Sequence, residues 1–76
     1  MVEHLTDTDI QVVLAFAKND MNASKTARQV FLNKSSVRYH LESVGAKTGL
    51  SPLKFYDLVE LVGILGERMG ESERVD

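Results

Sequence analysis

The 76-residue sequence has no cysteine and no tryptophan, only two histidines, one proline and five aromatic residues. Without cysteine there is no disulfide framework, and His4 and His40 alone do not supply a structural zinc site. A chain this short buries only roughly 60% of its unfolded surface. Its stability must therefore come from a well-packed core, a partner chain, or both. No apolar run approaches the ~20 residues needed to span a bilayer, and no secretory signal opens the chain. The expectation is a soluble, cytoplasmic protein with no membrane partner.

One sign of charge is scarce in one place. The stretch from Lys18 to Lys47 carries six basic residues against the acids Asp20 and Glu42, a local charge of +4. The remainder carries −6, which leaves a formal net charge of −2. A basic middle between acidic ends is what a surface facing a polyanion looks like on an otherwise acidic protein.

The apolar periodicity is helical throughout, and no run alternates for long enough to suggest a strand. The predicted fold is all-α, a small four-helix domain over residues 1–66, followed by a charged, disordered tail over 67–76. Thr6 is the predicted N-cap of the first helix, with Asp7 and Asp9 at the positive end of its dipole. Its expected core stripe is Ile10, Val13, Leu14 and Ala17. Val12 and Phe16 form a second stripe that a lone domain would leave partly exposed. Asn22 caps a second helix over about 23–31, with Ala23, Ala27, Val30 and Phe31 on one face and Lys25, Arg28 and Gln29 directed away from it.

Leu32 and Asn33 interrupt the pattern, and Asn33 caps a third helix with Val37, Leu41 and Val44 inward. Its end is signalled by Gly49, which suits a left-handed cap with Leu50 folding back, or earlier by Gly45. Ser51 and Pro52 read as an N-cap and first helical residue of a fourth helix. From Leu53 to Leu65 that helix is too apolar for one face. Either that helix is deeply buried, by the first helix or a neighbouring domain, or it is the seam of a homodimer; the dimer is the expectation taken, because it would account for Val12 and Phe16 as well.

Two short helices joined by about three residues, with small Ala27 at their crossing, have the spacing of a helix-turn-helix. In such a unit the second helix enters the major groove of duplex DNA, its N-terminal residues nearest the base edges. Here that helix covers about 34–45. Its outward arc holds Ser35, Arg38, Tyr39 and Glu42, with Lys34 and Ser36 at its start. Lys25, Arg28, Lys34 and Lys47 are long cations suited to phosphates. Arg38 suits bidentate contact with guanine, while Asn33, Ser35 and Ser36 can hydrogen-bond to bases or phosphates. Tyr39 offers its hydroxyl to a phosphate or its ring to a thymine methyl, and Glu42 would face cytosine or repel phosphate. Ser36 and His40 stand four apart, as a nucleophile and its base would, but no third residue or pocket accompanies them. No catalysis and no cofactor are expected. The competing reading is a protein-interaction module on the same fold that has lost DNA binding, which the net negative charge and the apolar fourth helix favour.

The stretch from Ala23 to Leu65 resembles the C-terminal helix-turn-helix domain of the PucR-type regulators. The resemblance rests on Thr26-Ala27-Arg28, Val37-Arg38-Tyr39-His40-Leu41-Glu42 and Lys47-Thr48-Gly49-Leu50. That family includes purine-catabolism activators and sugar-diacid regulators. The resemblance implies a bacterial transcription regulator with double-stranded DNA as partner, and a sensory portion or partner protein outside this chain. The family commonly opens its recognition helix with His-Arg-Asn-Thr, where this sequence has Asn33, Lys34, Ser35 and Ser36, so its base preferences do not transfer. His40 stands where an arginine is frequent. Phe31 occupies the turn position that often holds glycine, and a positive φ there would carry strain of order 1 kcal/mol.

Overall fold

Four helices follow one another in the computed structural model, which describes the backbone of residues 4–73 and the side chains of residues 4–66. They are α1 (Asp7–Lys18), α2 (Ala23–Val30), α3 (Lys34–Thr48) and α4 (Phe55–Glu73), and no strand occurs among the described residues. Thr6 caps α1 reciprocally with Asp9: the Asp9 amide donates to Thr6 Oγ1 at 3.0 Å, and the Thr6 amide donates to the Asp9 carboxylate at 3.1 Å. Two amides that a helix start leaves unpartnered are thereby satisfied.

α1 packs against each of the other three helices, and α2 packs against α3. This central position decides which of its faces is buried. Val12 (0% exposed), Val13, Ala15 and Phe16 (4%) are the buried apolar residues, whereas the expected stripe members Ile10, Leu14 and Ala17 lie partly covered at the core's edge. Val12 and Phe16 are therefore core, and the expected homodimer seam through them is overturned. Because α4 lies along α1, the second stripe finds its partner inside the same chain. Leu58, Leu61 and Leu65 of α4 join the same core, with Val37, Leu41 and Val44 of α3 inward as expected.

α1 and α2 are joined by four residues, of which Asp20 (φ 56°) and Met21 (φ 61°) are both left-handed. The reversal is held by the Met21 amide, which donates to the Phe16 carbonyl at 2.8 Å. On α2, Thr26 and Ala27 are buried. Phe31 does not join that face. It is the left-handed C-cap (φ 60°, ψ 40°) and is 92% exposed, because the reversal that ends α2 turns its ring outward.

α3 runs past Gly45 to Thr48, and Gly49 (φ 79°) supplies the left-handed cap. Of the two glycines only the one at the end of the core stripe stops the helix. Thr48 Oγ1 donates to the Val44 carbonyl at 2.8 Å and accepts the Leu50 amide at 3.1 Å, fastening the exit. α4 starts three residues after Pro52, the expected first helical residue. Ser51 to Lys54 form a turn closed by the Lys54 amide on the Ser51 carbonyl at 3.0 Å, with the proline ring fully buried. Ser51 Oγ accepts the Leu53 amide, and the Asp57 carboxylate accepts the Ser51 amide at 3.1 Å, so the polar start signal serves this turn. The backbone of α4 continues beyond Gly66, where the sequence pattern ends the domain, because glycine lowers helix propensity without removing a hydrogen bond. The rest of the expected tail, residues 74–76 and the side chains from 67, lies outside the described residues.

Two substitutions separate the core from the turn. Leu61→Ala, at a fully buried position, is expected to lower the free energy of unfolding by about 2–5 kcal/mol. Phe31→Gly removes an exposed ring from a left-handed position, so stability should stay within about 1 kcal/mol of the parent or rise. Chemical denaturation of both variants measures this, and a larger loss for Phe31→Gly would mean that the ring is packed.

Candidate nucleic-acid interface

The site is built on the reversal between α2 and α3. Asn22 opens α2, its Oδ1 accepting the Lys25 amide at 2.9 Å. At the other end the Phe31 and Leu32 amides both donate to the Ala27 carbonyl, the latter at 2.9 Å, and this closes the turn. Leu32 packs against the core, which ties the turn down. Asn33 then caps α3, its Oδ1 accepting the Ser36 amide at 2.7 Å. The helix-turn-helix geometry is thus specified by two asparagine caps and one left-handed residue.

With Val37, Leu41 and Val44 inward, the opposite side of α3 faces solvent. Lys34, Ser35, Arg38, Tyr39 and Glu42 are exposed there, and Tyr39 is the most protruding aromatic of α3. Lys25 and Arg28 are exposed on α2. Lys34, Ser35 and Arg38 line an open cleft of about 380 Å³ together with Met21, Ala23 and Leu53. The arrangement brings Lys34, Ser35, Arg38 and Tyr39 onto one exposed surface, as anticipated. Asn33 is exposed but its side-chain oxygen is occupied by capping, and Ser36 is half-buried. The Arg38 Nε lies 3.9 Å from the Glu42 carboxylate, both side chains being open to solvent.

Lys47 departs from its expected role. Its Nζ donates to Asp9 Oδ2 at 2.9 Å, while His40 Nδ1 lies 2.7 Å from Asp9 Oδ1. Asp9 is 1% exposed, so a buried carboxylate at the start of α1 takes the amine that the sequence reading assigned to phosphate. His40 and Lys47 are seven residues apart, two helical turns, and therefore share an edge of α3. Burial pushes the Asp9 carboxyl up, but hydrogen bonds from His40, Lys47 and the Thr6 amide, together with the Lys47 charge, outweigh it and hold its pKa below the ordinary value. Asp9 is the residue that sequence reasoning missed. The signals were the Thr6-x-x-Asp9 spacing of a reciprocal cap and the shared edge of His40 and Lys47. No hydrogen bond joins Ser36 to His40 among the described residues, so the two do not form a nucleophile and base.

Among the described residues no group of three or more His, Asp or Glu side chains is arranged to hold a metal ion, and no helix is long and apolar enough to cross a membrane. Residues 9–62, most of the chain, match the family model of the PucR C-terminal helix-turn-helix domain. The matched stretch runs from the buried carboxylate on α1 to the first half of α4. No curated protein and no solved structure matches significantly.

Asp9→Asn keeps the shape and removes the charge, and should destabilise the domain by about 1.5–3 kcal/mol at neutral pH. Because the folded pKa of Asp9 is depressed, its contribution is present above the unfolded value of 3.8 and is lost as pH falls through the lower folded value. Stability measured against pH should therefore show parent and variant converging as pH falls below 3.8. A gap that stays constant as the acid limb is descended would contradict the ion-pair origin.

Proposed function

Since the chain belongs to the PucR C-terminal helix-turn-helix family, we propose that it binds duplex DNA sequence-specifically as part of a transcription regulator, with α3 in the major groove. The observation that carries this reading is the exposed polar face of α3 beside the unpaired cations of α2. Lys25, Arg28 and Lys34 are exposed and form no ion pair among the described residues. These three serve phosphates, and Ser35 and Tyr39 lie where they can contact backbone or base edges. Arg38 reads a guanine through its two parallel N–H groups. Asn33 and Ser36 act mainly through the helix start they build, and Lys47 is left out because Asp9 holds it. Such a domain needs no cofactor, and binding is its whole activity.

A second reading rests on α4. Phe55, Tyr56 and Val59 are large apolar side chains left exposed on neighbouring turns, which is the kind of patch that marks protein contacts. A second copy of the chain seated there would give a dimer that carries two recognition helices. The two readings are compatible, and one titration tests both.

With Lys25, Arg28 and Lys34 as the phosphate-facing cations, the slope of log K against log salt on random duplex should be no steeper than about −3 for a monomer. Pairing on DNA should roughly double it. No binding at any salt would remove the DNA reading and leave the interaction module. In selection from random duplexes, Arg38→Ala should lose its preference at one guanine, at a cost of about 1–3 kcal/mol. Unchanged preferences would refute the role given to Arg38.

A further inference from the structure

Glu42 is the only acid between Ala23 and Thr48, the span of α2, the turn and α3. It stands on the exposed face of α3 one turn beyond Arg38, where the proposed reading places a polyanion. Stability does not account for it. Its pair with Arg38 is long at 3.9 Å, and the two side chains are 71% and 64% exposed. Such pairs contribute little. It is the ninth residue of a fifteen-residue helix, too far from the N-terminus to gain from the dipole. An acid here repels phosphates while giving the fold almost nothing.

Resting on the DNA-binding reading above, we infer that Glu42 is a specificity-determining residue that accepts a hydrogen bond from the amino group of a cytosine. Among base edges in the major groove, the cytosine amino group is a donor, and a carboxylate can only accept. Residues four apart on a helix are separated by about 6 Å along its axis, while base pairs rise about 3.4 Å. The cytosine read by Glu42 therefore lies within about two base pairs of the guanine read by Arg38. In the free protein the carboxylate and the guanidinium face each other. On the right sequence each exchanges that weak pairing for a base, and on a wrong one Glu42 is left against phosphates and unpaired. The charge thus raises discrimination by penalising non-specific docking.

The test uses the whole chain with Glu42→Gln, a surface change that leaves the fold intact, in selection from random duplexes and in titrations on the selected site and on random duplex. The preferred base at one position should shift from cytosine towards adenine, which glutamine reads with its donor and acceptor. Affinity for random duplex should rise about fivefold, the effect of one unit charge near 4 Å in water. Affinity for the parent's selected site should not rise, so the ratio of specific to random binding falls. With Arg38→Ala added, Glu42→Gln should still shift the cytosine position, which shows that Glu42 reads on its own. An unchanged base preference, or an equal gain on both duplexes, would overturn the inference while leaving the DNA reading in place. A parent that binds no duplex would overturn both.

Discussion

A single buried carboxylate sets the attitude of α3. Asp9 closes the N-terminal cap of α1 and, with the same two oxygens, receives His40 and Lys47 from positions two turns apart on α3. Apolar contacts between helices are forgiving of small slides, whereas two charge-assisted hydrogen bonds at 2.7 and 2.9 Å fix both the rotation and the axial position of α3 relative to α1. With its inner edge fixed this way, the outer edge carrying Ser35, Arg38, Tyr39 and Glu42 has one orientation. Removing His40 or Lys47 would leave the buried Asp9 carboxylate short of a partner, so the arrangement is cooperative.

The same junction redistributes the charge of the basic middle. Of its six cations, Lys47 is turned inward, and Arg38 faces Glu42 across solvent. The exposed face of α2 and the start of α3 are left with a short strip formed by Lys25, Arg28 and Lys34. That explains how a chain of net charge −2 can present a positive surface. Charge counted along the sequence overstates the strip, because it cannot distinguish a cation held by a buried acid from one standing free.

What was legible in the sequence follows from how local the determining physics is. Thr6, Asn22 and Asn33 announce three helix starts because the capping hydrogen bond spans three residues, and the stripe Val37, Leu41 and Val44 announces its inner face by spacing alone. The end of α3 was legible only as a choice between Gly45 and Gly49, and the expected bound of about 34–45 fell short of Thr48, whereas the polar arc of α3 follows once its inner stripe is known. The choice between the two stripes of α1 was not legible, since both repeat at helical spacing and only the position of α4 decides between them. The start of α4 misled because Ser51-Pro52 is an equally good opening for a helix and for the turn that precedes this one. Asp9 was hidden by distance: its partners lie 31 and 38 residues away, and no local rule reaches them.

Phe31 stands where local conformation and tertiary packing pull against each other. Its backbone is left-handed and its ring makes no use of the core, so glycine would serve the turn at least as well on conformational grounds. The turn still forms, because Ala27 receives two amides and Leu32 is anchored on the core; tertiary contacts therefore carry the cost of a residue poorly suited to its φ. Two consecutive left-handed residues between α1 and α2 are tolerated in the same way, held by the Met21 amide on Phe16. Both reversals are held by local hydrogen bonds together with the core that flanks them. The angle between α2 and α3 accordingly rests on the two asparagine caps, the left-handed Phe31 and the anchoring of Leu32 on the core.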